Sequence, residues 1–516
     1  MVVMPAKRST PQAVNIGSRL EPMVDEALIR SFRGGAALRL HRPQRREIVF
    51  ETDAPWEGNA CGYPSIVRAD EGWRIYYHGL HYRHSGPPAQ ALPEHPAVLC
   101  YIESKDGLSW SRPNLGQFSF NRSKRNNIVL TPEAVAEIGG DPAHTAVLRD
   151  TNPDCPAGAR YKVVILGLTP EKHGLYLLKS ADGVRFGLVS GRPAITEGAF
   201  DSQNLMFWDD LRGEYREYHR VFTDGIRDIV TAVSDDPTHF PRPKRLKFPG
   251  APTEHLYTNQ ILPYYRAPHV FVGFPARYTE REWAAPLYAL PGLEERVARS
   301  QVHPRYGGAV TDTLFMSSRD GVTFKRWPEA FIRPGPRQAQ SWVYGDNYTF
   351  WGMIETPSAL EDAPNEISLY SSDGYWEGVS NSVRRYTIRL DGFVSVNAPL
   401  SGGEVLTKPL IFQGGNLALN LETSGAGGIR VELQDAHGKP IPGYALDDCP
   451  EIMADSVRHV VRWRTRGGDL RRLSGKAVRL RFALRDADLY SLQFVPYAPE
   501  PPAPDLTGVP FETAAL

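Results

Sequence analysis

A short apolar run followed by Ser-x-Asp-Gly-x-x-aromatic recurs along this chain of 516 residues, and no other feature limits its fold as much. The copies are YIESKDGLSW (Ser104, Asp106, Gly107, Trp110), LLKSADGVRF (Ser180, Asp182, Gly183, Phe186) and FMSSRDGVTF (Ser318, Asp320, Gly321, Phe324). Two degenerate versions, TAVSDDPTHF (Ser234, Asp236, Phe240) and YTIRLDGFVSV (Asp391, Gly392, Phe393), complete five. Asp-Gly between alternating apolar runs marks a tight hairpin, so Asp106, Asp182 and Asp320 read as turn residues. Asp141, before Pro142, has the same character.

Two further strand candidates precede each hairpin. They are YPSIVRA and WRIYYHG, HTAVLRD and YKVVILGL, NLMFWDD and YREYHRVF, NQILPYY and HVFVGFPARY, YTFWGMIE and EISLYSS. Four strands per unit, five times over, predict an all-β fold: a five-bladed β-propeller over residues 45–400. The strand RREIVFE is expected to supply the outer strand of a terminal blade. Residues 1–44 read as an N-terminal arm with an amphipathic helix in EPMVDEALIRSF, residues 21–32. LPGLEERVARSQ, near 290–301, reads as a second helix in an insertion. Beyond 400 the hairpin repeat stops, and the strand-rich segment 401–498 predicts a β-sandwich followed by a proline-rich tail at 499–516. The 46 glycines and 44 prolines suit a chain with this many turns.

Charge narrows the partners. Lys and Arg number 59, as do Asp and Glu, so the electrostatic surplus expected of a nucleic-acid binder or a membrane-surface binder is missing. No run of about 18 apolar residues occurs to span a bilayer. The four cysteines (Cys61, Cys100, Cys155, Cys449) have neither CxxC nor Cys/His ligand spacing, and no HExxH, GxSxG or phosphate-loop pattern is present. No cofactor is expected, with a structural Ca²⁺ among Asp, Asn and carbonyl oxygens as the alternative. The N-terminus lacks the apolar core of a secretion signal, which predicts a cytoplasmic protein, or a secreted one if a leader has been removed.

In a propeller the innermost strands converge on one axial pocket, so residues leading those strands are the functional candidates. WEGNACGYP offers Glu57, Asn59 and Tyr63, and GGDPAHTAV offers His144. AFDSQNLMF adds Asp201, Ser202, Gln203 and Asn204, TEHLYTNQI adds Glu254, His255, Tyr257 and Asn259, and WVYGDNYTF adds Trp342, Tyr344, Asp346 and Asn347. Arg220, His219 and Arg277 at second-strand ends supply cations, and Glu366 a further carboxylate. Asp201 and Asp346 also suit turns, and His144 also suits a satisfied core position. Paired carboxylates with aromatic walls fit hydrolysis of a glycosidic bond, in which one acid protonates the leaving oxygen and a second carboxylate attacks or activates water.

On these features the chain resembles the five-bladed-propeller glycosidases of glycoside hydrolase families 32, 43, 68 and 117. The resemblance lies in the SxDGxxW/F hairpins and in Asp or Glu leading inner strands, over residues 45–400. It implies action on furanosides such as fructofuranosides and arabinofuranosides. It matches Asp201 in FDSQN to the family's middle-blade Asp and Glu254 in TEHLYTNQ to its general acid. WEGNACGYP shares only a Trp and an Asn with the fructosidase WMNDPNG segment, leaving Glu57 or Asn59 at the first-blade position, with Asp346 or Glu366 as other bases. The EC and RDP motifs are missing. The segment after 400 looks like the second domain of family 32 enzymes. An oligosaccharide or glycoside is the expected partner. A non-catalytic carbohydrate-binding propeller and a phosphorylase or transferase using Arg220, Arg277 and His219 for phosphate are the alternatives.

Overall fold

The computed structural model describes residues 13–84, 91–338 and 341–499. The readings that fall on residues 1–12 and 500–516, the start of the chain and most of the proline-rich tail, lie outside these. The described chain is predominantly β and divides into two compact units, residues 40–393 and residues 13–39 with 394–499.

The larger unit contains five four-stranded antiparallel sheets. Sheet I is Gly62–Arg68, Trp73–Gly79, Val98–Ser104 and Ile128–Leu130, and sheet II is Gly140–Arg149, Tyr161–Gly167, Gly174–Ser180 and Gly187–Leu188. Sheet III is Leu205–Asp209, Glu214–Thr223, Ile226–Ser234 and Lys244–Arg245, and sheet IV is Leu262–Tyr264, Ala267–Gly273, Met316–Ser318 and Lys325–Arg326. Sheet V joins Ile354–Thr356, Glu366–Asp373 and Ser382–Arg389 to Gln44–Glu51, the RREIVFE strand, whose Phe50 pairs with Val383. A three-stranded sheet (His255–Leu256, Ala276–Glu280, Ala309–Thr313) and the helix Leu293–Val302 are inserted in the fourth repeat.

The repeat motif makes the same bonds three times. Ser104, Ser180 and Ser318 each donate a hydroxyl to the following Asp Oδ1 at 2.9 Å. Each of those oxygens also accepts two backbone N–H groups, those of Leu108 and Ser109, Val184 and Arg185, and Val322 and Thr323. The glycine that follows has φ +76°, +72° or +73°, a region open chiefly to glycine. Its carbonyl then accepts a tyrosine hydroxyl from a neighbouring sheet: Tyr370 to Gly107, Tyr76 to Gly183 at 2.9 Å, and Tyr218 to Gly321 at 2.8 Å. These bonds tie sheet V to I, I to II and III to IV. Tyr264 to Asp391 (2.6 Å) ties IV to V, and Tyr215 to Asp150 (2.7 Å) ties III to II. Apolar clusters fill the spaces between facing sheets, for example Val67, Tyr76 and Leu99 with Val147, Val163 and Leu178.

A buried polar network links the first strands of the five sheets. Gln203 donates to the Tyr63 carbonyl (2.7 Å), and Gln260 donates to Gln203 Oε1 (2.7 Å) and to the Thr349 carbonyl (2.9 Å). Ser65, near Gln203, accepts the Val147 N–H at 3.0 Å. Residues leading or lying in the first strand of every sheet therefore meet in one network, and Gln203, Gln260 and Ser65 are each 1% exposed. Left unbonded at that depth, such amides would cost about 1–3 kcal/mol each.

In the second unit, Asn416–Asp435 and Ala477–Val495 pair along their lengths and Phe412 stacks on Phe494, with Leu419, Val431, Trp463 and Phe482 in the core. Residues 21–32 are not a helix. Glu21–Pro22 pairs with Leu492 and Ser491, and Ile29–Gly34 pairs with residues 403–407. The 3.6-residue apolar spacing of EPMVDEALIRSF is satisfied another way: Met23, Val24, Leu28 and Ile29 are buried, Ile29 opposite Thr407 and Met23 and Leu28 in a core with residues such as Val396 and Phe494. The expected separate arm over 1–44 is thus, in its described part to residue 39, part of the same unit as the C-terminal strands.

Candidate active site

The segments that lead the first strands of sheets I, IV and V, with the Tyr375 loop, enclose a narrow pocket of about 20 Å³. Tyr63, His78, Tyr257, Tyr344, Tyr348 and Tyr375 form most of its wall. The Tyr344 hydroxyl donates to the Tyr257 oxygen at 2.8 Å, and the Tyr257 and Tyr348 ring centres are 5.5 Å apart. Tyr375 stacks on Trp376 with 12° between planes. Tyr63, Gln260, Trp342, Asn347 and Trp376, five of the eleven described non-glycine residues at positive φ, belong to these segments or their continuation. Such strain persists only where the surroundings impose it, and it gathers at ligand sites.

Electrostatics separate one phenol from the rest. Burial and neighbouring phenols push Tyr63, Tyr344 and Tyr348 well above the ordinary tyrosine value. Burial acts on Tyr257 in the same sense, but Arg220, the Tyr344 hydrogen bond, Arg227 and Arg305 bring it below that value. The guanidinium carbons of Arg220 and Arg227 stand 5.2 and 5.0 Å from the Tyr257 ring centre.

Two acidic groups flank this cluster. Asp201 pairs with buried Arg220 while its own side chain is 67% exposed, so it can reach a ligand. Asp141 accepts the Ala143 N–H (2.9 Å) with one oxygen and His144 Nδ1 (2.5 Å) with the other. Burial works to raise the Asp141 carboxyl, but the His144 hydrogen bond and charge hold it below its ordinary value. With Nδ1 engaged, His144 keeps Nε2 for other partners, and its ring lies 5.7 Å from that of Tyr63. Asp141 lies not in the turn that its sequence suggests but in the strand Gly140–Arg149, opposite Leu166 at the start of a register irregularity, where it orients an imidazole, which the Asp-Pro pattern does not signal.

The other candidates are placed elsewhere or are occupied. Glu57 is 1% exposed, and its oxygens accept Tyr77 Oη (2.6 Å), the Ala54 N–H (3.1 Å) and both Arg112 Nε (3.0 Å) and Nη2 (2.7 Å), which leaves it a structural anchor. Asn59 bonds the backbone of Tyr82 and Gly378, Asn204 donates to the Phe200 and Ser202 carbonyls, and Asn259 accepts the Ile261 N–H. His219 is buried between Glu217 and the Glu197 carbonyl. His255 accepts the Arg227 N–H at 3.2 Å, and burial and then Arg227 lower its pKa. Asp346 is buried and accepts the Tyr375 N–H (2.9 Å), and its carboxyl is pushed well above the ordinary value by burial and then by Asp373. Glu366 lies on a sheet V strand, 3.6 Å from Arg46.

Glu254, Arg277 and Trp342 do come together, in a different and larger cavity of about 980 Å³. There Arg277 donates to Glu254 (2.9 Å) and, through Nε and Nη2, to Asp312 (2.9 and 2.6 Å), while Arg326 bonds the second Glu254 oxygen. Each Glu254 oxygen accepts from an arginine, which fixes the residue within an ion-pair cluster. The chain from Trp342 to Gly345 separates the two spaces, with Trp342 on the larger and Tyr344 and Gly345 on the smaller. Tyr348, Tyr375, Arg227, Arg305 and His78 are neighbours that the sequence pattern did not mark. Among the described residues no group of three or more His, Cys, Asp or Glu side chains is placed to hold a metal.

No family profile and no curated protein sequence matches the chain. Solved structures similar to it include an N-acetylgalactosamine deacetylase from F. plautii in complex with blood group B trisaccharide, at 12% identity, covering 68% of this chain and 96% of that one with a TM-score of 0.40. A β-1,2-mannobiose phosphorylase from Listeria innocua is 12% identical, covering 67% and 96% with a TM-score of 0.40. The catalytic domain of a Coprinopsis cinerea GH62 α-L-arabinofuranosidase is 9% identical, covering 68% and 99% with a TM-score of 0.40.

Proposed function

We propose that residues 40–393 form a five-bladed propeller whose central pocket cleaves a glycosidic bond of an oligosaccharide. The ring is supported by the tyrosine bonds that run from sheet V to I, I to II, II to III, III to IV and IV back to V, and by the Gln203–Gln260 network at their inner ends. The chemistry rests on one observation: exposed Asp201 and the Asp141-held His144 stand on leading segments of adjacent sheets, beside a wall of aromatic rings with polar tips.

Glycosidic cleavage needs one group to protonate the departing oxygen and another to attack the sugar or activate water. Asp201, an accessible carboxylate anchored by Arg220, takes the second role. His144 takes the first, donating from Nε2 while Asp141 holds Nδ1 and stabilises the ring. This replaces Glu254 as the acid, since two arginines already occupy it. Asp346 backs the Tyr375 loop. The family resemblance adds arabino- and fructofuranosides as the first substrates to test, and phosphate dependence separates phosphorolysis from hydrolysis.

New reducing ends released from a panel of oligosaccharides provide the assay. Asp201→Asn and His144→Gln are each expected to lower kcat by about 100-fold or more with an unchanged melting temperature. Full turnover in both variants would overturn the assignment. The 980 Å³ trough favours a second reading, a carbohydrate-binding surface without turnover, since its size suits an oligosaccharide. Binding of the panel with no new reducing ends would select it.

A further inference from the structure

We infer that the sugar held at the central pocket carries an oxyanion, a carboxylate or sulfate ester, bound by Arg220, Arg227 and Arg305. The inference deepens the reading above and rests on it for the sugar, though not for cleavage.

The three arginines come from three elements: Glu214–Thr223, Ile226–Ser234 and Pro304–Gly308. Two stand over the Tyr257 ring, and Arg305 lies 5.0 Å from the ring centre of Tyr306 and 5.8 Å from that of Tyr344. Their negative neighbours are few. Asp201 pairs with Arg220, and Glu280 accepts the Tyr278 hydroxyl at 2.7 Å. The cluster is therefore richer in positive than in negative charge, within a chain whose formal net charge is zero.

Their donors are also underused. The Arg220 side chain is 3% exposed, yet its Nε and Nη1 find no hydrogen-bond acceptor, and Nε of both Arg227 and Arg305 is in the same condition. A buried guanidinium N–H without an acceptor is costly, and the planar fork of arginine fits the paired oxygens of a carboxylate or sulfate. The depressed Tyr257 value reports the same positive field. A pocket of about 20 Å³ holds about one water-sized group, a single oxygen of the anion, so the sugar ring would rest outside it, against the partly exposed Tyr63 and Tyr375.

Titration calorimetry of the full chain tests this with D-galacturonate, D-glucuronate and glucose 6-sulfate against neutral galactose and glucose, and with inorganic phosphate alone. At least one acidic sugar is expected to bind ten-fold or more tightly than its neutral counterpart. Arg227→Met and the half-buried Arg305→Gln should each reduce that advantage ten-fold, with neutral-sugar affinity changed less than two-fold. Equal binding of acidic and neutral sugars, binding of neither, or an advantage that survives both substitutions would overturn the inference. So would binding of phosphate but of no acidic sugar, which would assign the arginines to a free anion. If an acidic sugar binds as expected but no oligosaccharide is cleaved, the anion site stands and the cleavage reading falls. Cleavage of neutral substrates with no acidic preference gives the reverse.

Discussion

Gly183 has φ +72°, and a Cβ built there would meet Tyr76 Oη at 2.5 Å and Arg74 Nη1 at 2.8 Å. Gly213 has a similar φ of +65° with nothing within 4 Å. Gly183→Ala should therefore lower unfolding free energy by about 2–4 kcal/mol, strain and crowding together, against about 1 kcal/mol for Gly213→Ala, as read from urea midpoints. The first half of that difference is legible in the SxDG motif, because turn chemistry is local; the tyrosine from the neighbouring sheet is not. The same limit governs the carboxylates. Glu57 and Glu254 lead strands as expected, but the arginines that occupy them lie 55 residues away for Arg112 and 23 and 72 for Arg277 and Arg326. His78 carries a pH prediction. Burial and then the facing His144 push it down to about 4 from 6.5, and Nε2 is bonded to the Ala60 carbonyl. The folded state prefers the neutral ring, so this contribution to stability is full above pH 6.5 and lost as pH falls toward 4, up to ~3 kcal/mol. His78→Gln should flatten that part of the stability–pH curve in denaturant titrations between pH 4.5 and 7.

At the scale of elements, the strand Gln44–Glu51 completes sheet V at its edge, with Arg384 opposite Ile48. Ile48 is 42% exposed, so little apolar burial is at stake there and the ladder is what the position supplies. Ile48→Pro should cost about 3 kcal/mol or more by removing a donor, whereas Ile48→Thr should stay within about 0.5 kcal/mol; thermal melts distinguish them. The sequence assigned this strand because four sheets had an outer strand nearby and one lacked it. Residues 21–32 had no such count to correct them. Their spacing is equally apolar on a helix and between strands, and only the partners at 403–407 and 491–492 decide.

Over the whole molecule, residues 13–39 contribute Ile16, Met23, Leu28 and Ile29 to the core of the unit that contains residues 394–499. At about 1.5–3 kcal/mol for each buried side chain, removing them is comparable with the stability of an entire domain. Deletion of residues 1–39 is expected to abolish amide-exchange protection across 403–495 while leaving that of sheets I–IV in place, as followed by hydrogen exchange and mass spectrometry. The long strands of this unit were evident from their alternation, but no local pattern announces that its first strands come from the opposite end of the chain.

That arrangement sets a timetable for synthesis. The strand ending at Glu51 leaves the ribosome some 331 residues before its partner starting at Ser382. At roughly 5–20 residues per second the wait is about 17–66 s, long compared with the formation of any hairpin. Through that interval sheets I to IV can assemble in order beside a strand with nothing to pair with, and the arrival of Ser382–Arg389 is the event that completes the larger unit. Translation speed between residues 51 and 382, more than any single contact, would then govern how long that open edge is available to a second nascent chain.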